Sequence, residues 1–106
     1  MTNKHHPMIL KVGYKTFKII HEDLTDYGAY GYTDMATHTI GIHKNQLEAD
    51  YKGTLLHEIL HVGYEVFALG ADSLPRIKNE QLVSTTSNML QVLHGLNPKL
   101  FKYIFS

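Results

Sequence analysis

The hydrophobic pattern of this chain changes once, near Asn45, and that change limits what the chain can fold into. Before it, apolar residues come in short β-branched or aromatic runs broken by glycine and polar turns. After it, they recur at helical spacing. The expected class is α+β: a small antiparallel sheet of two hairpins, packed on a long helix, a second helix and a short C-terminal helix. With 106 residues and 43% apolar composition, the chain can build one modest core, so residues 1–106 are expected to form a single domain, with 1–7 a flexible lead-in.

The strands are expected at 8–12 and 16–20, joined across Gly13-Tyr14-Lys15, and at 29–33 and 38–43, joined by a turn over 34–37. In the last strand Ile40 and Ile42 share the core face, and Thr39, Gly41 and His43 share the other. Asn45 followed three residues later by Glu48 resembles a capping box, and Gly70 is placed to end the same helix, predicting a span of 46–69. Leu56, Leu60, Tyr64 and Phe67 are its expected burying residues. Residues 71–74 form a connector, and Pro75 suits the first turn of a helix running to His94, before Gly95. Ile77, Val83, Leu90 and Leu93 would pack, while Glu80, Ser84, Ser87 and Gln91 form a polar stripe. Asn97-Pro98 gives a cap-and-start signal for the last helix, which carries Leu100, Phe101, Tyr103 and Ile104.

Near the middle of the first helix stands His57-Glu58-Ile59-Leu60-His61. Imidazoles four residues apart lie on one helical face about one turn apart, so both can reach a single ion. Glu58 is offset by about 100° from His57, which suits it to approach a metal-bound water rather than join the ligands. With eight His in the chain, chance alone gives on the order of 0.03 such matches. Of the six other histidines, those at 5, 6, 21, 38 and 43 have no clear paired spacing and are expected in loops or on strand surfaces.

Composition removes several alternatives. Ten Lys and Arg balance ten Asp and Glu, so nothing advertises a nucleic-acid or anionic-membrane partner. No cysteine is present, so a metal must be held by His, carboxylate or water. The first seven residues lack the apolar segment of a signal peptide, and no apolar run approaches membrane-spanning length, making the cytoplasm the expected location.

A catalytic zinc commonly takes three protein ligands and keeps a position for water, so two histidines are incomplete. Glu80 is the leading third candidate, on a helix that can fold back beside the first. Glu65 continues the stripe of His57 and His61, but three ligands in line on one straight helix converge poorly. Asp72, His94 or a group from a partner molecule remain open.

With Glu80 following the second histidine by nineteen residues in an Asn79-Glu80 pair, the sequence over roughly 54–94 resembles the gluzincins, the thermolysin-like clan of zinc metallopeptidases, and their compact phage and bacterial relatives. The resemblance implies a zincin-like fold, Zn²⁺ held by His57, His61 and Glu80, and Glu58 polarising water and shuttling a proton to cleave a peptide bond. It implies a peptide or protein substrate, in the host cytoplasm if the chain is phage-encoded. The strand at Thr39–His43 would flank the cleft and pair with extended substrate. One position departs: where the clan often has an aspartate four residues after the ligand glutamate, this chain has Ser84. Oxyanion-stabilising groups have no assigned counterpart; Tyr51, Tyr64 and His94 are the candidates. Two rival readings follow, a metal-binding regulatory or interaction module with weak or no activity, and a zinc hydrolase acting on a bond other than a peptide.

Overall fold

Alternating buried and exposed positions set the first two strands of the computed structural model, which describes residues 8–68 and 79–106. Leu10 and Val12 turn inward from β1 (Ile9–Val12), and Phe17 and Ile19 from β2 (Lys15–Glu22). The turn between them places Gly13 at φ 63°, a conformation that costs glycine little. β3 (Gly31–Asp34) and β4 (Thr39–His43) form the second hairpin.

The two hairpins do not make a purely antiparallel sheet. Strand order is β1-β2-β4-β3, and β2 pairs parallel with β4, with Ile19 opposite Ile40 and His21 opposite Ile42. The sheet is therefore mixed. The physical reason is insertion: β4 lies between β2 and β3, and because β3 already runs opposite to β4, the chain has reversed twice and β4 returns in the direction of β2. β4 is consequently an interior strand, and among the described residues β1 and β3 are the edges, so on the α1 side of the cleft the edge strand is Gly31–Asp34 and not Thr39–His43.

Ile40 and Ile42 face the core as expected, and Thr39 and Gly41 on the opposite face are buried as well. At Gly41 the covering group is Tyr32, whose ring lies where a Cβ would stand: a β-carbon on Gly41 would be 2.1 Å from the ring. The Tyr32 hydroxyl donates to the Glu22 carboxylate across β4.

α1 (Glu48–Gly63) begins later than its sequence signals suggest. Leu47 is the N-cap, in extended conformation with no side-chain capping bond, so the Asn45–Glu48 box does not form. Gln46 makes the link instead: its amide donates to the His43 carbonyl at 2.9 Å, and its oxygen accepts from Thr54 Oγ1 at 2.9 Å. The core stripe of α1 is Tyr51, Leu55, Ile59 and Val62, whereas Leu56, Leu60, Tyr64 and Phe67 are only partly buried around it. After Gly63 the backbone widens into a π turn, Tyr64–Ala68. The expected stop at Gly70, the connector 71–74 and the helix start at Pro75 with Ile77 lie outside the described residues, as does the lead-in 1–7.

α2 (Asn79–Leu96) crosses α1 at Gly63, where a β-carbon would come within 2.6 Å of Met89 Sδ. Met89 and Leu93 are buried, but Val83 is 66% exposed and does not pack. α3 (Pro98–Ile104) buries Leu100, Phe101 and Ile104. Asn97 precedes it without capping it. Its amide binds the edge of β1 instead, accepting from the Lys11 N–H at 2.7 Å and donating to the Lys11 carbonyl at 2.8 Å and to the Leu93 carbonyl at 2.9 Å. A side chain thus completes the outer strand's pairing where a neighbouring backbone would otherwise stand.

Candidate functional site

α1 carries three of the four expected site residues, and its 3.6-residue turn sorts them. Tyr51, Leu55, Ile59 and Val62 anchor one side in the core, which fixes the helix's rotation and leaves His57 and His61 exposed. Their rings meet edge to face with centroids 4.7 Å apart, and the two Nε2 atoms are 3.1 Å apart. Two imidazole nitrogens at about 2.0–2.1 Å from one tetrahedral zinc stand roughly 3.3 Å apart. The pair therefore fits a shared ion with little adjustment. The same convergence also serves an Nε2–H···Nε2 hydrogen bond, so it is the exposure of both rings that leaves the pair accessible to a metal.

Glu58 points elsewhere. It is 6% exposed, turned toward the sheet, and its Oε1 accepts a hydrogen bond of 2.7 Å from Thr33 Oγ1 on β3. Gly31, two residues earlier on the same face of β3, leaves room for it: a β-carbon there would lie 3.2 Å from Glu58 Oε2 and 2.8 Å from Thr54 Cγ2. β3 and α1 are thus held close by the absence of a side chain at residue 31. Beside this contact opens a cleft of about 830 Å³, lined by Tyr30, Gly31, Gln46, Gly53, His57 and Glu58 among others. One side is α1 from Ala49 to Glu58, and the other is Tyr30 and Gly31 at the start of β3 with the 45–47 segment.

Comparison with protein-family models, curated proteins and solved structures found no match. The geometry and chemistry of these residues therefore carry the functional argument.

Glu80 stands in the first turn of α2 and is exposed. Among the described residues no three of His, Cys, Asp and Glu are grouped to hold one ion, so His57 and His61 are brought together and Glu80 is not brought to them. Glu65 stands on the π turn that follows α1, and Asp72 lies outside the described residues. His94 sits in the last turn of α2, fourteen residues from Glu80, with its ring against Phe101. At 1.5 Å rise per residue that is about 21 Å along the axis, too far for both to serve one site. Ser84 is exposed on α2.

The phenols considered for oxyanion stabilisation have other partners. Tyr64 is hydrogen-bonded to Thr86 on α2 at 2.7 Å. Tyr51 is bonded to His21, and burial pushes its phenol well above the ordinary tyrosine range, with Tyr103 adding to the effect. His21 and His43 on the strands are half-buried rather than on the strand surface, and His38, in the turn before β4, is half-buried as well. His38 stacks on Phe17, and His43 Nδ1 accepts from the Leu24 N–H at 2.9 Å, placing the neutral ring's proton on Nε2.

Sequence reading did not identify Thr33, Gly31 or Gln46 as parts of the site. Gly31 and Thr33 share a strand face, which period-2 alternation could have shown. That this face meets Glu58 depends on β3 being the edge strand nearest α1, which no local signal encodes.

Proposed function

We propose that this protein is a zinc-dependent metallopeptidase of zincin-like architecture, hydrolysing a peptide bond with Glu58 as general base. The observation that carries this reading is the convergence of two exposed imidazoles, 3.1 Å apart at Nε2, beside a buried carboxylate at the wall of an open cleft. A helix surface with only solvated polar residues has no reason to bury Glu58 against a threonine while leaving both histidines at the surface.

In this reading His57 and His61 would hold the metal, and Glu80, which stands apart from them at the start of α2, would have to complete the ligand set. Zinc, when bound, supplies a Lewis acid for the scissile carbonyl and lowers the pKa of water. The chain's own residues do the remainder. Glu58 takes the proton of the attacking water and returns one to the leaving amine. β3 offers its free edge to an extended peptide, whose backbone would align along the cleft. The cleft's open form suits a flexible segment of a protein partner.

Metal affinity tests the ligand set. Isothermal titration with zinc is expected to show large losses for His57→Ala, His61→Ala and Glu80→Ala and none for Glu65→Ala. Undiminished binding by folded Glu80→Ala would remove the gluzincin-like assignment.

A further inference from the structure

Glu58 is held, not free. Its side chain has three torsions, and a general base must present one oxygen to water within hydrogen-bond reach. Thr33 removes much of that freedom. It is β-branched, so its own side chain is stiff, and its Oγ1 donates to Glu58 Oε1 at 2.7 Å while lying 3.5 Å from the Glu58 carbonyl. The second oxygen, Oε2, is left against Gly31, which together with His57 lines the cleft.

We propose that Thr33 is the positioning residue for Glu58: from the edge strand, its hydroxyl fixes one carboxylate oxygen so that the other faces the reacting water. This deepens the hydrolase reading and rests on it. Thr33 lies on the strand whose free edge would receive substrate, so the element that aligns the peptide also aims the base. Substrate affinity would come from the backbone edge and the cleft, while the hydroxyl acts on the chemical step. Removing it should therefore change kcat and leave KM alone.

The test uses the full zinc-loaded chain, a quenched-fluorescent peptide library, and the variants Thr33→Val, Thr33→Ser and Glu58→Gln. Valine keeps the shape and strand preference of threonine without the hydroxyl; serine keeps the hydroxyl. Thr33→Val is expected to lower kcat on the order of 10- to 100-fold, the scale of a misplaced catalytic group, with KM and zinc affinity unchanged. Thr33→Ser should restore most of the loss. Crystal structures should show the Glu58 carboxylate displaced in Thr33→Val and in place in Thr33→Ser. Wild-type kcat in Thr33→Val, or an unmoved Glu58 carboxylate in its crystal structure, overturns the proposal. Wild-type turnover by Glu58→Gln, or no cleavage of any library peptide by the wild-type protein, overturns the hydrolase reading instead; the crystal structures then judge the placement of Glu58 by Thr33 on their own.

Discussion

Replacing Gly31 with alanine inserts one methyl group at the closest approach of β3 to α1. The new carbon would lie 2.8 Å from Thr54 Cγ2 and 3.2 Å from both Cγ and Oε2 of Glu58. Thr54 cannot turn its methyl away cheaply, because its hydroxyl is bonded to Gln46 at 2.9 Å. Breaking that bond costs about 1 kcal/mol, and overpacking a tight contact typically costs about 1–3 kcal/mol. Alanine's lower unfolded-state entropy returns roughly 0.4–1 kcal/mol. The net expectation is a destabilisation of about 1–3 kcal/mol, which for a chain of this size lowers Tm by roughly 5–20 °C. Thermal and urea unfolding followed by far-ultraviolet circular dichroism measures it. Thr54→Ser supplies the control, since it deletes the methyl and keeps the hydroxyl. In that background the Gly31→Ala penalty should shrink by about 1 kcal/mol, a coupling that a double-mutant cycle isolates. A Gly31→Ala protein as stable as wild type, or an equal penalty in both backgrounds, would refute the close contact on which the placement of Glu58 depends.

Asn97→Ala removes three hydrogen bonds, two to Lys11 and one to Leu93, and should cost about 2–3 kcal/mol in urea unfolding; an effect below about 0.5 kcal/mol, the range of ordinary surface changes, would contradict the clamp on β1. The Glu22 carboxylate, which accepts the hydroxyl of Tyr32, pushes that phenol up to about 12. A raised folded-state pKa means that this contribution to stability is present below the ordinary tyrosine value of about 10 and is lost as pH rises through about 12. The ultraviolet difference titration of wild type against Tyr32→Phe should have its midpoint near the higher value, and a midpoint at the ordinary one would contradict the bond.

Local patterns made most elements legible. Short β-branched or aromatic runs bounded by glycine and polar turns located all four strands to within two residues, and Pro98 located the start of α3. The H-E-x-x-H spacing placed both histidines on one helical face, exposed in the structure, with Glu58 offset from them, while the bond of Glu58 to Thr33 was not legible. What local patterns could not supply was strand order. Nothing in 39–43 says that this strand inserts between β2 and β3, so the mixed sheet and the edge position of β3 were hidden, and Thr33 with them. Capping signals failed for a related reason. Asn97, a cap by its local sequence, satisfies the polar edge of β1 instead, and at the start of α1 Gln46 rather than the expected Asn45–Glu48 box ties the end of β4 to the helix. The core stripe of α1 was also misjudged. Leucines 56 and 60 flank the histidine side and are half-buried, while Tyr51, Leu55, Ile59 and Val62 face the sheet and the other helices.

Turnover at matched zinc occupancy decides whether Glu58 is the base of a zinc hydrolase. Wild-type protein and Glu58→Gln, loaded with equal zinc as verified by metal analysis, are compared on the same peptide library, with products identified by mass spectrometry. Peptide-bond cleavage by wild type is expected, with a loss of at least about 100-fold in Glu58→Gln, the lower end of what a general base contributes. Equal rates in the two proteins, or zinc bound at His57 and His61 with no hydrolysis by either, would contradict it.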